Sequence, residues 1–187
     1  MSSSPSDSPP SPPQLCWLSN FMCCVVSTAL YYVEFFLGGS RVCYRLATKV
    51  NGPDYNLALV SRTGRLQLVP TEDSPLQYWQ ISPTIFPKMY RLQVECGGRA
   101  YSVEVRLQGP EDTAGIPGPV PILTQSRYLR SQFWRIQKDH PGSTTFRLTN
   151  GLTGPNMFLD IYQLQDPVMI DGDNPTMQWA LTMGKMD

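Results

Sequence analysis

The side chains able to do acid, base or nucleophilic chemistry form an uneven set here. There is one histidine, His140, which nearly excludes histidine-based metal clusters and leaves a single imidazole to activate any serine or cysteine nucleophile. It lies in Asp139-His140-Pro141-Gly142, a turn, and reads as a solvated surface residue. Cys16, Cys23, Cys24 and Cys43 fall in the first quarter of the chain, and of the five cysteines only Cys96 lies deep in the remainder. An odd count clustered in an apolar stretch suits reduced or lipid-modified thiols better than a disulfide framework, with a Cys43 to Cys96 pair left open. Two acids stand out, in Val103-Glu104-Val105 and Leu159-Asp160-Ile161. Folding could bring them together as a hydrolytic acid pair, but no nucleophile and base set or metal cluster is legible. The expectation is a protein that is not an enzyme, with no metal and no cofactor.

The elements that must carry those acids repeat. Tyr44-Arg45-Leu46, Tyr90-Arg91-Leu92 and Phe146-Arg147-Leu148 open three units, and Gln77-Tyr78-Trp79, Gln132-Phe133-Trp134 and Met177-Gln178-Trp179 close them. Midway in each unit stands a third echo, Leu57-Ala58-Leu59, Val103-Glu104-Val105 and Leu159-Asp160-Ile161. Alternation with period two makes these strands, whose aliphatics point into a core while Ala58, Glu104 and Asp160 point toward solvent or a ligand. Leu66 and Leu68 in the first unit, and Val168 and Ile170 in the third, supply a further strand, with its middle-unit counterpart within Val120 to Leu123. Four short strands per unit, parted by turns such as Asn51-Gly52-Pro53-Asp54, give about twelve strands and leave no room for long helices. Three units are too few for a closed propeller, which needs about four blades. They point to an all-β β-trefoil of three four-stranded repeats, roughly 42–86, 87–142 and 143–187, in which each unit gives two strands to a six-stranded barrel and two to a hairpin cap. The repeated arginines read as strand residues facing solvent or pairing with acids.

With 187 residues there is room for one domain and a tail. Fifteen basic and fifteen acidic residues cancel, and no basic block exists to track a phosphate backbone, so nucleic acid is not an expected partner. Residues 1–14 are almost all Ser and Pro, the composition of a disordered tail. Residues 15–41 hold an apolar, uncharged run, Leu15 to Val33, and a linker. Three readings of that run stand side by side. It could be a secretory signal cleaved after Ser27-Thr28-Ala29, a membrane anchor through residues 15–37 with Cys23 and Cys24 as acylation sites, or an apolar segment packed on the domain. Localisation follows the reading: secreted or membrane-anchored in the first two, cytoplasmic in the third.

From about residue 42 to 183 the chain resembles the ricin-type, or QxW, β-trefoil lectins, whose units end in Gln-x-Trp and carry a Leu-Asp-Val-like strand midway. Gln77-Tyr78-Trp79 and Gln132-Phe133-Trp134 fit the closing signature, Met177-Gln178-Trp179 keeps the tryptophan, and Leu159-Asp160-Ile161 fits the midway strand. The cadence from Phe146 to Trp179 is similar to fungal members. The resemblance implies sugar binding, in which the midway acid accepts hydrogen bonds from adjacent hydroxyls, a ring stacks on the pyranose, and Gln and Asn complete the contacts. In the first unit Ala58 replaces the acid, although Gln67 stands where the glutamine would be. The second has Glu104, one methylene longer. The third keeps Asp160, with Met169 in place of the glutamine, Asp171 where the ring would be and Thr176 where the asparagine would be; Tyr162 and Asn174 are local substitutes. The implied function is a carbohydrate-binding module with partly degenerate sites at Asp160, Tyr162, Asn174 and Glu104, taking a mono- or oligosaccharide. The alternative is a protein-binding trefoil, such as a protease inhibitor, acting through the Pro-rich 109–121 loop, where proline limits the entropy lost on docking.

Overall fold

A computed structural model describes residues 42–61, 63–96, 99–107 and 115–184. The 1–14 tail, the 15–41 segment, the side chain of Cys96 and residues 109–114 of the loop lie outside the described residues. Twelve strands are present: β1 (Cys43–Thr48), β2 (Tyr55–Leu59), β3 (Leu66–Pro70), β4 (Trp79–Pro83), β5 (Tyr90–Cys96), β6 (Arg99–Arg106), β7 (Val120–Gln125), β8 (Trp134–Lys138), β9 (Thr145–Asn150), β10 (Gly154–Tyr162), β11 (Asp166–Asp171) and β12 (Trp179–Gly184). A 3-10 turn precedes each closing tryptophan, at Pro75–Gln77, Arg130–Gln132 and Pro175–Met177.

Six strands close on themselves. β1 pairs with β4, β4 with β5, β5 with β8, β8 with β9, β9 with β12 and β12 with β1, all antiparallel. The remaining six form three hairpins, β2 with β3, β6 with β7 and β10 with β11. A six-stranded barrel capped by three hairpins is the β-trefoil expected from the repeats. Closure leaves the ring without the open edge that would template association.

The symmetry reaches individual atoms. Leu46, Leu92 and Leu148, the leucines of the three openings, are buried in one core with Trp79, Trp134 and Trp179. The indole N–H of each tryptophan donates across the core at 2.9 Å, to the carbonyls of Leu57, Val103 and Leu159 respectively. At the cap the hairpins bond to one another in a cycle: Leu68 N–H to the carbonyl of Gln165, Leu123 N–H to that of Gly64, and Met169 N–H to that of Pro119, at 2.7 to 2.8 Å. Gly64 is required at its place, with φ of +90° and a position where a Cβ would stand 2.2 Å from the Leu123 carbonyl oxygen.

That cycle corrects the expected register in the third unit and fixes it in the middle one. Met169 faces Leu159 as Leu68 faces Leu57, so the third unit's axial residue is Met169 rather than Val168 or Ile170. In the middle unit the axial residue is Leu123, opposite Val103. Val168 and Met169 are both buried, and a strand covered on both faces shows no alternation to read. The loop expected over 109–121 is also shorter, because Val120 and Pro121 are buried β7 residues paired with Arg106 and Val105.

Candidate functional site

The indole bonds fix the strand that carries the midway position of each unit, since Leu57, Val103 and Leu159 immediately precede Ala58, Glu104 and Asp160. The outer face at those positions is not open as the alternation suggested. The 3-10 turn of the same unit packs over it, and Ala58 and Asp160 are buried.

Those turns have a built-in brace that sequence reasoning missed. In the first unit the Gln77 amide accepts from Glu72 N–H at 3.0 Å and donates to the Pro70 carbonyl at 2.8 Å. Gln132 repeats the arrangement with Arg127 N–H at 2.7 Å and the Gln125 carbonyl at 3.0 Å. The glutamine of Gln-x-Trp thus satisfies loop backbone groups, and in the third unit the buried thioether Met177 fills that place.

In the third unit, the Asp160 carboxylate is 2% exposed. Its Oδ1 accepts the Ile161 backbone N–H at 2.7 Å and its Oδ2 accepts Nδ2 of Asn174 at 3.0 Å. Asn174 itself is exposed, at the head of the 3-10 turn. The structure therefore brings Asp160 and Asn174 together, with the buried acid orienting the exposed amide. Tyr162 follows two residues on along β10, on the same face and half-buried. Directly across the hairpin from Tyr162 is Asp166, and opposite Asp160 stands Val168, so Val168 rather than Met169 occupies the glutamine's place.

Glu104 lies in a separate network in the second unit. Its side chain is 15% exposed, and Oε2 accepts from Thr124 Oγ1 at 2.7 Å and Gln132 Nε2 at 3.2 Å, while Arg106 Nε is 3.6 Å from Oε1. No described contact joins Glu104 to Asp160. Gln67 does not serve its own unit either. It donates to Asp166 Oδ1 of the third unit at 3.0 Å, beside Arg65, whose Nη2 reaches the same oxygen at 2.8 Å. Asp166 was not singled out from sequence; the short turn after Tyr162, which sets the two opposite each other, was the available signal.

The three opening arginines diverge. Arg147 pairs with Asp139 and Asp173, whose hydrogen bonds raise its already high pKa. Arg45 donates to the Tyr78 hydroxyl at 2.5 Å with its guanidinium 4.5 Å from that ring. Arg91 is buried rather than solvent-facing, its guanidinium 5.8 Å from the Tyr128 ring. His140 is exposed in its turn. Burial pushes the Cys43 thiol up. Among the described residues there is no cluster of three or more metal-ligating side chains, and no helix long and apolar enough to cross a membrane.

No protein-family model and no curated protein matches the chain. Solved structures do. A mosquitocidal holotoxin superposes with a TM-score of 0.61 at 15% identity over 76% of this chain, which spans only 17% of the holotoxin. SeviL bound to asialo-GM1 saccharide matches at 0.56 and 15% identity, with 75% of this chain and 95% of SeviL covered. Polyporus squamosus lectin, bound to a human-type influenza-binding epitope, matches at 0.56 and 18% identity over 75% of this chain and 48% of the lectin. At these identities the likeness establishes the trefoil fold.

Proposed function

We propose that this chain is a non-enzymatic carbohydrate-binding module whose main site is centred on Asn174, at the head of the 3-10 turn that covers Asp160, beside the Tyr162 end of β10. The observation that carries the reading is the buried Asp160 holding the exposed Asn174 at 3.0 Å on the strand face that also bears Tyr162. An amide oriented by a fixed carboxylate can donate to and accept from sugar hydroxyls, and a tyrosine ring offers an apolar surface to the C–H face of a pyranose. SeviL and the Polyporus lectin, which share the fold, are seen with bound glycans. Glu104 is the second candidate. Three protein groups already surround its carboxylate, so its site is the weaker one.

The test is binding of the full chain to a glycan panel that includes asialo-GM1 saccharide. Asn174→Ala removes an exposed side chain and should abolish binding. Because it also takes from buried Asp160 Oδ2 its amide partner, it should cost about 1 to 3 kcal/mol, and binding is measured well below the variant's own melting temperature. Asp160→Asn should weaken binding through loss of the amide's anchor. A wild-type chain that binds nothing on the panel at millimolar sugar would overturn the reading.

A further inference from the structure

The cap carries a second group of polar side chains, at the seam where the β2–β3 hairpin meets the β10–β11 hairpin. Arg65 Nε and Nη2 donate to Asp166 Oδ1 at 3.3 and 2.8 Å, and Gln67 Nε2 donates to the same oxygen at 3.0 Å. Three donors on one oxygen leave Asp166 Oδ2 and Arg65 Nη1 without a protein partner among the described residues. Both side chains are only partly covered, Arg65 at 26% and Asp166 at 14% exposure, so the pair is fixed yet reachable. Tyr162 stands directly across the hairpin from Asp166, which sets their Cβ atoms about 5 Å apart.

The turn that joins them is strained. Gln163 and Leu164 have φ of +50° and +64°, and Gln165 N–H closes the turn on the Tyr162 carbonyl at 3.2 Å. Two successive left-handed residues suit Asn-Gly, and a leucine there is a costly choice. Such strain concentrates at ligand clamps and is held in place by surrounding contacts. Here the contacts are the Arg65 and Gln67 bonds to Asp166 and the Leu68 bond to the Gln165 carbonyl.

From this geometry we infer a further subsite, made of Tyr162, Asp166 and Arg65, that takes a neutral sugar residue presenting adjacent hydroxyls. A hydroxyl is at once donor and acceptor; it donates to Asp166 Oδ2, and a neighbouring hydroxyl accepts from Arg65 Nη1. The ring of Tyr162 stands between this subsite and the Asn174 site and borders the sugars of both. Asp160 and Tyr162 are two strand residues apart, about 7 Å, so this subsite and the Asn174 site lie along one hairpin face and suit consecutive sugars of one oligosaccharide. The inference rests on the carbohydrate-binding reading and adds a second contact region to it.

The experiment titrates the full chain with the best oligosaccharide from the panel and with that ligand's terminal monosaccharide. Wild type should prefer the oligosaccharide, and Asp166→Asn and Arg65→Gln should each weaken oligosaccharide binding about tenfold. In the wild-type protein the backbone amide resonances of residues 162–166 should shift on titration, a readout that does not depend on any variant folding. Unmoved resonances, or wild-type affinity in both variants while Asn174→Ala loses binding, overturn the subsite and leave the module's function standing. A wild type that binds no glycan overturns both.

Discussion

A side chain in this molecule earns its place through one or two bonds, and those bonds can be tested singly. Each core indole combines a large apolar burial with one hydrogen bond to a carbonyl that water cannot reach. Trp134→Ala should cost about 3 to 5 kcal/mol, and Trp134→Phe, which keeps a ring but strands the Val103 carbonyl, about 1 to 3 kcal/mol, both read by urea denaturation. The Gln77 brace predicts a different signature. Gln77→Leu leaves Glu72 N–H and the Pro70 carbonyl without their partner and should cost about 1 to 3 kcal/mol. The tryptophans were legible because three copies kept step with the openings. The role of the glutamine was not, because a side chain that bonds only to backbone leaves no complementary residue in the sequence. Cys43 gives a prediction with a pH axis. Burial raises its pKa above 9.0, disfavouring the thiolate in the folded state, so whatever stability this contributes is present below pH 9.0 and is lost as pH rises through the folded value. Iodoacetamide labelling at pH 8, mapped by mass spectrometry, should be slow at Cys43 in native protein and fast in urea.

At the scale of strands and turns, the sequence showed where strands lie better than how they pair. Alternation placed Leu57 and Leu59, Val103 and Val105, and Leu159 and Ile161 on the core side, and all three hairpins follow. It misplaced the axial residue of β11, since Val168 and Met169 are both buried, and it took Ala58 and Asp160 as outward when the 3-10 turns cover them. Coverage by a turn depends on the closed fold and has no period of its own. The tight turns are where substitution is most informative. Leu164→Gly relieves a left-handed φ of +64° at an exposed residue and should stabilise the protein by about 1 kcal/mol. Gly64→Ala should do the reverse by more, because a new methyl would collide with the Leu123 carbonyl and push apart the bond from Leu123 N–H to the Gly64 carbonyl that locks two hairpins together. Thermal melts of the two variants should move in opposite directions.

For the whole molecule, the decisive fact is that the ring closes between the first and last strands. β12 pairs with β1 along its full length, from Cys43 opposite Gly184 to Thr48 opposite Trp179. The two ends of the domain are therefore held by each other, and the core of three tryptophans depends on both. Removing residues 1–41 deletes none of the twelve strands, so residues 42–187 should still melt in one cooperative transition. Removing residues 1–48 deletes β1 alone. That exposes the edges of β4 and β12 together, takes Leu46 out of the core, and leaves two barrel strands without their shared neighbour. The shorter fragment should show no cooperative transition and should elute as aggregate on size exclusion. Adding residues 42–48 back as a peptide should restore the transition, because the strand's contribution is made through pairing and burial and does not require it to be covalently first. A 49–187 fragment that folds alone would show that closure is incidental, and the threefold account of the core would fall with it.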